Sequence, residues 1–109
     1  MSWHVEFLKE ANDEFQSLTL PVRRQVAKGI EKVRQNPLPK AKGGYGEPLG
    51  NRGGTALAGL YKIKYKQIGI RVVYALKTVD ETMTVVVVSM RADNEVYKIA
   101  HHRRGKHDV

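Results

Sequence analysis

Two periods of apolar residues alternate along this chain, one typical of strands and one typical of helices. Residues 2–7 alternate apolar and polar side chains, which predicts a short strand. Apolar residues then recur every three or four positions over residues 8–18 and again over 22–33, which predicts two amphipathic helices. Pro21 is tolerated in a first helical turn, and Asn36-Pro37 ends the second helix. The short connection predicts an antiparallel helical hairpin.

Residues 60–76 alternate on both sides of a turn, which predicts a β-hairpin. The apolar positions of its two arms are Tyr61, Ile63, Tyr65, Ile70, Val72, Tyr74 and Leu76. Both apolar sets must share one side of the sheet, and that requirement is met when Tyr65 faces Ile70.

The same register predicts a cluster of cations on the other side of the hairpin. Lys64 lies directly across from Arg71, and Lys62 lies on the same face. Like charges that face each other across strands destabilise the pair by roughly 0.2–1 kcal/mol. Two interpretations remain open, because the lysines could guard a solvated edge strand against aggregation or form a binding site for an anion such as phosphate.

The remaining segments complete the predicted fold. Residues 37–55 contain three prolines and six glycines, and we expect a long loop there. Its Lys40, Lys42 and Arg52 would make it a basic flap over a polyanion, although an ordinary flexible connector fits the composition equally well. A continuous β-branched run at 83–90 predicts a strand covered on both faces, and residues 95–99 predict a short closing strand.

These elements predict one α+β domain over residues 1–109. The two-helix hairpin is expected to pack on one face of a four- to five-stranded antiparallel sheet. The opposite face is then left to Lys62, Lys64 and Arg71, with Arg91 and Tyr97 at its edge.

Composition narrows the classes of function. The chain has 109 residues, no cysteine and a net charge of +8. Disulfides and cysteine zinc sites are therefore excluded, and no apolar run predicts a signal peptide or a membrane span, so a cytoplasmic protein with no membrane partner is expected. Because the first twenty residues are net acidic, the rest of the chain is more basic than the total suggests, which suits nucleic acid as a partner.

The basic C-terminal tail carries three of the four histidines. His101, His102 and His107 lack further ligands at a metal-binding spacing, so neither a metal site nor a cofactor is expected. We expect the tail to be partly frayed and its cations to contact RNA.

Several pieces of the chain, in this order, resemble the RelE family of bacterial toxins from toxin–antitoxin pairs. The pieces are a two-helix start ending in Asn-Pro, then Leu49-Gly50, the segments GLYKIK at 59–64 and GIRVVY at 69–74, Arg91 after a hydrophobic strand, and EVY at 95–97. The resemblance spans nearly the whole chain. It implies a RelE-like fold, similar to that of microbial RNases.

The resemblance also implies a function, which is ribosome-dependent cleavage of mRNA in the A site by attack of a ribose 2′-OH on the adjacent phosphate. Lys62 would be the general base, Lys64 and Arg71 would stabilise the phosphate charge, Arg91 would protonate the leaving oxygen or hold the phosphate, and Tyr97 would orient the substrate. The residues expected to bind RNA or the ribosome are Lys40, Lys42, Arg52, Lys66, Lys98, Arg103 and Arg104.

The implied partners are the ribosome, mRNA and a RelB-like antitoxin encoded by a neighbouring gene, with operator DNA bound only through that antitoxin. The chemistry agrees with the resemblance, because in-line transfer at phosphorus requires cations where negative charge accumulates. Arginine holds its proton too strongly to be a good acid, so Arg91 is expected to act as an electrostatic clamp.

Two other functions remain as alternatives. A ParE-like relative would act on gyrase without cutting RNA, but that branch generally lacks the Lys, Arg and Tyr set found here. A non-catalytic nucleic-acid-binding module would need positive charge without a fixed geometry.

Overall fold

The computed structural model describes residues 2–52 and 55–109, with the backbone alone at positions 51, 52, 55 and 56. The described residues form three helices and five strands. In chain order these are β1 (His4–Phe7), α1 (Lys9–Gln16), α2 (Leu20–Val33), β2 (Glu47–Arg52), β3 (Thr55–Tyr65), β4 (Ile70–Lys77), β5 (Thr82–Ser89) and α3 (Asp93–His107), with a short 3₁₀ turn at Lys40–Lys42 before β2.

The strands form one five-stranded sheet in the order β1-β5-β4-β3-β2. The pairs from β2 to β5 are antiparallel, whereas β1 pairs with β5 in parallel. The sheet is therefore mixed rather than wholly antiparallel as predicted. A parallel neighbour requires a crossover connection, and the helices that follow β1 begin the crossover that carries the chain to the far edge of the sheet.

The predicted helical hairpin and β-hairpin are both confirmed. The helices α1 and α2 contribute Ala11, Val26, Ile30 and Val33 to a core with the apolar face of β3 and β4. Across these two strands Tyr65 pairs with Ile70, Lys64 with Arg71 and Lys62 with Val73. The requirement that one apolar face be buried was therefore sufficient to fix the register.

The opposite face of the sheet is covered by α3, and two predictions are corrected there. The predicted closing strand at 95–99 and the predicted open face are both wrong, because Val96, Tyr97 and Ala100 pack from α3 onto Val73, Val87 and their neighbours. Acidic residues in the first turn of α3 and basic residues in its last turn complement the helix dipole.

The Gly- and Pro-rich segment is more regular than predicted. Its C-terminal part forms β2, which pairs with β3 and places Glu47 opposite Lys62. The prediction of an unbroken loop over 37–55 is therefore wrong at its second half. Gly53 and Gly54, which belonged to that prediction, lie outside the described residues.

Ion pairs fasten the end of α3 to α1. The imidazole of His107 and the ammonium of Lys106 lie 2.9 Å and 3.1 Å from the carboxylate of Glu10. Hydrogen bonds from His107, from the backbone and from Lys106 lower the pKa of Glu10 from 4.5 to about 2. One turn after Glu10 in α1, the carboxylate of Glu14 forms a bidentate pair with Arg103 of α3 at 2.6 Å and 3.1 Å.

We expect the stability that Glu10 provides to be lost in acid. Because the pKa of Glu10 is lowered on folding, its contribution is fully present above about pH 4.5 and disappears as the pH falls towards 2. Urea unfolding at pH 7, 4.5, 3 and 2 should show a flatter pH dependence for Glu10→Gln than for the wild type. Asp80→Asn, which removes an exposed carboxylate from a turn, is the control, and identical profiles for Glu10→Gln and the wild type would contradict the prediction.

Candidate functional site

Lys62 occupies the centre of the predicted cationic face. Its ammonium donates a hydrogen bond to the hydroxyl of Tyr97 at 3.1 Å and lies 5.8 Å from the centroid of that ring. On the other side, the carboxylate of Glu47 lies 4.0 Å away. Only 11% of the Lys62 side chain is exposed, so strands β2 and β3 and helix α3 fix its position from three directions.

The two arginines lie beside the start of α3. The guanidinium of Arg71 pairs with the carboxylate of Asp93 and donates to the carbonyl of Arg91 at 3.0 Å. The side chain of Arg91 pairs with Glu95 at 3.0 Å and is 66% exposed. Both carboxylates belong to the first turn of α3, where the helix dipole favours negative charge. The same turn therefore holds both arginines through side-chain ion pairs.

A pocket of about 490 Å³ opens beside Lys62. It is lined by Lys40, Tyr45, Glu47, Lys62, Ile63, Lys64 and Lys66. Four of these residues are lysines and one is a carboxylate, so the pocket favours an anionic ligand. Because the side chain of Lys64 is exposed, its ammonium can contact such a ligand directly.

The five predicted catalytic residues fall into two groups on the same side of the sheet. Lys62 contacts Tyr97, Lys64 is the cross-strand partner of Arg71, and Arg71 contacts the backbone of Arg91. Tyr97 is buried rather than at an open edge, with 5% of its surface exposed. Its hydroxyl accepts a hydrogen bond from Lys62, so the ring is at once a core residue and a support for that lysine.

Four of the predicted RNA-binding residues lie at the surface. Lys40 and Lys66 line the pocket, and Lys42 and Lys98 are exposed. The side chain of Arg52 lies outside the described part of the chain.

The predicted basic tail is the last part of α3, and its arginines are held by the protein itself. Arg103 is 14% exposed and binds Glu14 together with the carbonyl of Val86. Arg104 donates to the carbonyl of Val109 at 3.3 Å. Arg103 therefore fastens α3 to α1 and β5, whereas Arg104 binds within the same C-terminal segment.

Two residues of the pocket, Tyr45 and Glu47, have no role in the predictions from sequence, because both lay in the presumed loop. The segment at 47–51 carries little strand signal of its own, since Leu49 lies between Pro48 and Gly50. The acidic start and basic end of α3 are a stronger signal for a helix.

Residues 2–52 and 55–109 contain neither a cluster of metal ligands nor a helix that could span a membrane. Within those ranges no three His, Asp or Glu side chains form a group that could hold a metal ion. Over the same residues, no helix has the length and apolar character needed to cross a bilayer.

Comparison with known proteins gives a consistent set of relatives. A RelE-like toxin protein of Escherichia coli is 33% identical over 106 residues, covering 94% of this chain and 98% of the relative. A mutant Escherichia coli toxin RelE in the free state is 28% identical with a TM-score of 0.73, over 94% of this chain and 98% of that one. A similar mutant in complex with a peptide of the antitoxin RelBc is 28% identical with a TM-score of 0.67, over 92% of this chain and 95% of that one. No family model matches the chain.

Proposed function

This chain belongs to the family of RelE-like toxins, and we propose that it is an endoribonuclease that cleaves mRNA in the A site of the translating ribosome. The observation that carries the proposal is the contact of Lys62 with Tyr97 on the same face as Lys64 and Arg71. A module that bound nucleic acid through charge alone would not need a lysine that is fixed on three sides. The predicted phosphate-binding face thus becomes, in this proposal, an active site.

The proposed reaction is an in-line transfer at phosphorus. The ribose 2′ oxygen attacks the adjacent 3′ phosphorus, its proton passes to the side chain of Lys62, which must be in its neutral amine form for this step, and the bond from phosphorus to the 5′ oxygen breaks. The products are a 2′,3′-cyclic phosphate and a 5′-hydroxyl end once the leaving oxygen has taken up a proton. Lys64 and Arg71 would stabilise the charge on the pentacoordinate phosphate, where fixed cations have their largest effect.

The ion pairs at α3 are consistent with a site whose arginines pair with carboxylates of the protein until an anionic ligand binds. Asp93 holds Arg71 and Glu95 holds Arg91 at the first turn of the helix. A phosphate that arrives between the two guanidinium groups can replace these carboxylates as a bidentate partner. Arg91, with two thirds of its side chain exposed, is the more accessible of the two and would act as the clamp.

The proposed partner is a RelB-like antitoxin. One of the solved relatives is the toxin RelE in complex with a peptide of the antitoxin RelBc, and it covers 92% of this chain. We propose that the cognate antitoxin is encoded beside this chain and covers its cationic groups, and that operator DNA is contacted through the antitoxin. The toxin would act in the cytoplasm, where the ribosome and mRNA are its other partners.

A translating extract tests the proposed function. Purified protein is added with and without an initiation inhibitor, and the 5′ ends of the mRNA are mapped. Cuts confined to translated codons, ending in 5′-hydroxyl groups and absent when initiation is blocked, are the expected result.

Three other results would each contradict this function. Intact mRNA together with trapped gyrase–DNA complexes would indicate a ParE-like activity. Cuts that are independent of translation would show that the ribosome is not required. RNA binding without cuts would show that the protein is not a nuclease.

A further inference from the structure

Tyr45 is an exposed aromatic side chain on the wall of the lysine-lined pocket. It is 47% exposed, and the ammonium of Lys32 lies 5.3 Å from the centroid of its ring. A ring that is partly open to solvent and close to cations can bind a nucleobase by stacking, while the cations contact the backbone phosphates. The other residues of the pocket offer charge but no comparable aromatic surface.

Backbone hydrogen bonds fix the loop that presents Tyr45. The amide of Tyr45 donates to the carbonyl of Asn36 at 2.9 Å, next to the end of α2. The amide of Gly46 donates to the carbonyl of Leu38, also at 2.9 Å. These bonds hold Tyr45 and Gly46 against the segment that follows α2, so the backbone position of Tyr45 is defined before any ligand binds.

Tyr74 attaches the same loop to the sheet. Its buried hydroxyl donates to the carbonyl of Pro37 at 3.0 Å, and burial raises the pKa of Tyr74, which keeps the phenol protonated as a donor. A Cβ at Gly46 would lie 2.6 Å from the carbonyl oxygen of Pro37 and 2.8 Å from the hydroxyl of Tyr74, so the loop packs against the sheet without room for a side chain. The stacking surface thus stands on the same rigid sheet that carries Lys62.

We propose that Tyr45, flanked by Lys32 and Lys40, is a stacking subsite for a base of the RNA strand whose backbone lies on Lys62 and Lys64. The inference rests on the proposed function for the identity of the substrate. It adds a residue that holds a base next to the cleaved phosphate, and so a means by which the enzyme positions the strand. Stacking is tolerant of sequence because every base has a π-face. The subsite would therefore bind single-stranded RNA without preference for a particular codon.

Binding without cleavage tests the subsite separately from the activity. The ligands are a 2′-O-methylated single-stranded RNA, which has no attacking hydroxyl, and an oligomer of the same length that carries abasic positions throughout. Tyr45→Ala is expected to weaken binding of the base-bearing RNA by about tenfold and to leave binding of the abasic oligomer unchanged. Tyr45→Phe should bind both like the wild type.

Fluorescence of Tyr45→Trp reports the contact itself. The native Trp3 is 6% exposed, so the wild-type protein supplies the blank for the new indole. The emission of the indole introduced at position 45 should be quenched by the base-bearing RNA and not by the abasic oligomer. Lys32→Ala is the charge control, since it should weaken binding of both ligands and lower the salt dependence by about one phosphate contact.

The subsite would be overturned if Tyr45→Ala lost affinity equally for both ligands or lost none for either. An indole that RNA does not quench in Tyr45→Trp would also overturn it. Thermal melting of each variant shows whether the fold is kept. These outcomes are independent of the translating extract. If the protein cuts mRNA but RNA does not quench the indole of Tyr45→Trp, only the proposed subsite is contradicted. If RNA quenches the indole but the protein does not cut mRNA, only the proposed activity is contradicted.

Discussion

Lys62→Met is expected to lower the rate of mRNA cleavage on programmed ribosomes by about 10²–10⁴-fold, the effect typical of removing a positioned general base. Methionine keeps most of the length and the apolar stem of the lysine, so the packing among β2, β3 and α3 should be largely preserved. The loss should therefore fall on the chemical step, with the melting temperature close to that of the wild type. Single-turnover rates at saturating protein measure it.

The contact between Lys62 and Tyr97 supplies an internal check on that result. If the hydroxyl of Tyr97 acts by positioning Lys62, then Tyr97→Phe lowers the rate in the wild type and has no further effect in Lys62→Met. Lys28→Met, at an exposed position of α2 on the other face of the sheet, is the matched control for loss of charge. A Lys62→Met protein that cleaves within a few fold of the wild type would show that Lys62 is not catalytic.

The part of the site on the β-hairpin could be predicted because one physical constraint determined it. Alternation assigns each side chain of β3 and β4 to a face, and burial of one face leaves a single register that satisfies both strands. Lys64 opposite Arg71 follows from that register without any knowledge of the rest of the chain.

The part of the site contributed by α3 and β2 could not be predicted in this way. Residues 95–99 include Val96, Tyr97 and Ile99, which are residue types common in strands, and the buried side chains of α3 are few, so its apolar stripe is short. The helix forms because the face of the sheet with Val73 and Val87 would otherwise remain exposed, which is a tertiary cause. The strand β2 is similarly determined by its pairing with β3, since its own Pro48 and Gly50 favour a loop.

Gly29→Ala in α2 is expected to destabilise the protein by about 2 kcal/mol, although alanine is the better helix former by roughly 1 kcal/mol. A Cβ at Gly29 would lie 2.2 Å from the hydroxyl oxygen of Tyr65 and 2.5 Å from its ring. That hydroxyl donates to the carbonyl of Val26 at 2.7 Å, and burial raises the pKa of Tyr65, so the displaced phenol loses a bond it cannot replace. Urea unfolding at pH 7 measures the change.

Gly105→Ala in α3 is the matched control for Gly29→Ala, because in the described part of the chain no atom beyond the neighbouring residues and backbone of its own helix lies within 4 Å of the Cβ it would add. The control should be more stable than the wild type by about 0.5–1 kcal/mol, so the same substitution in two helices is expected to have opposite signs. Tyr65→Leu removes the ring, and in that background Gly29→Ala should no longer destabilise. If Gly29→Ala is as stable as the wild type, the ring of Tyr65 moves aside at little cost. In that case its contact does not fix α2 on the strand that carries Lys62 and Lys64.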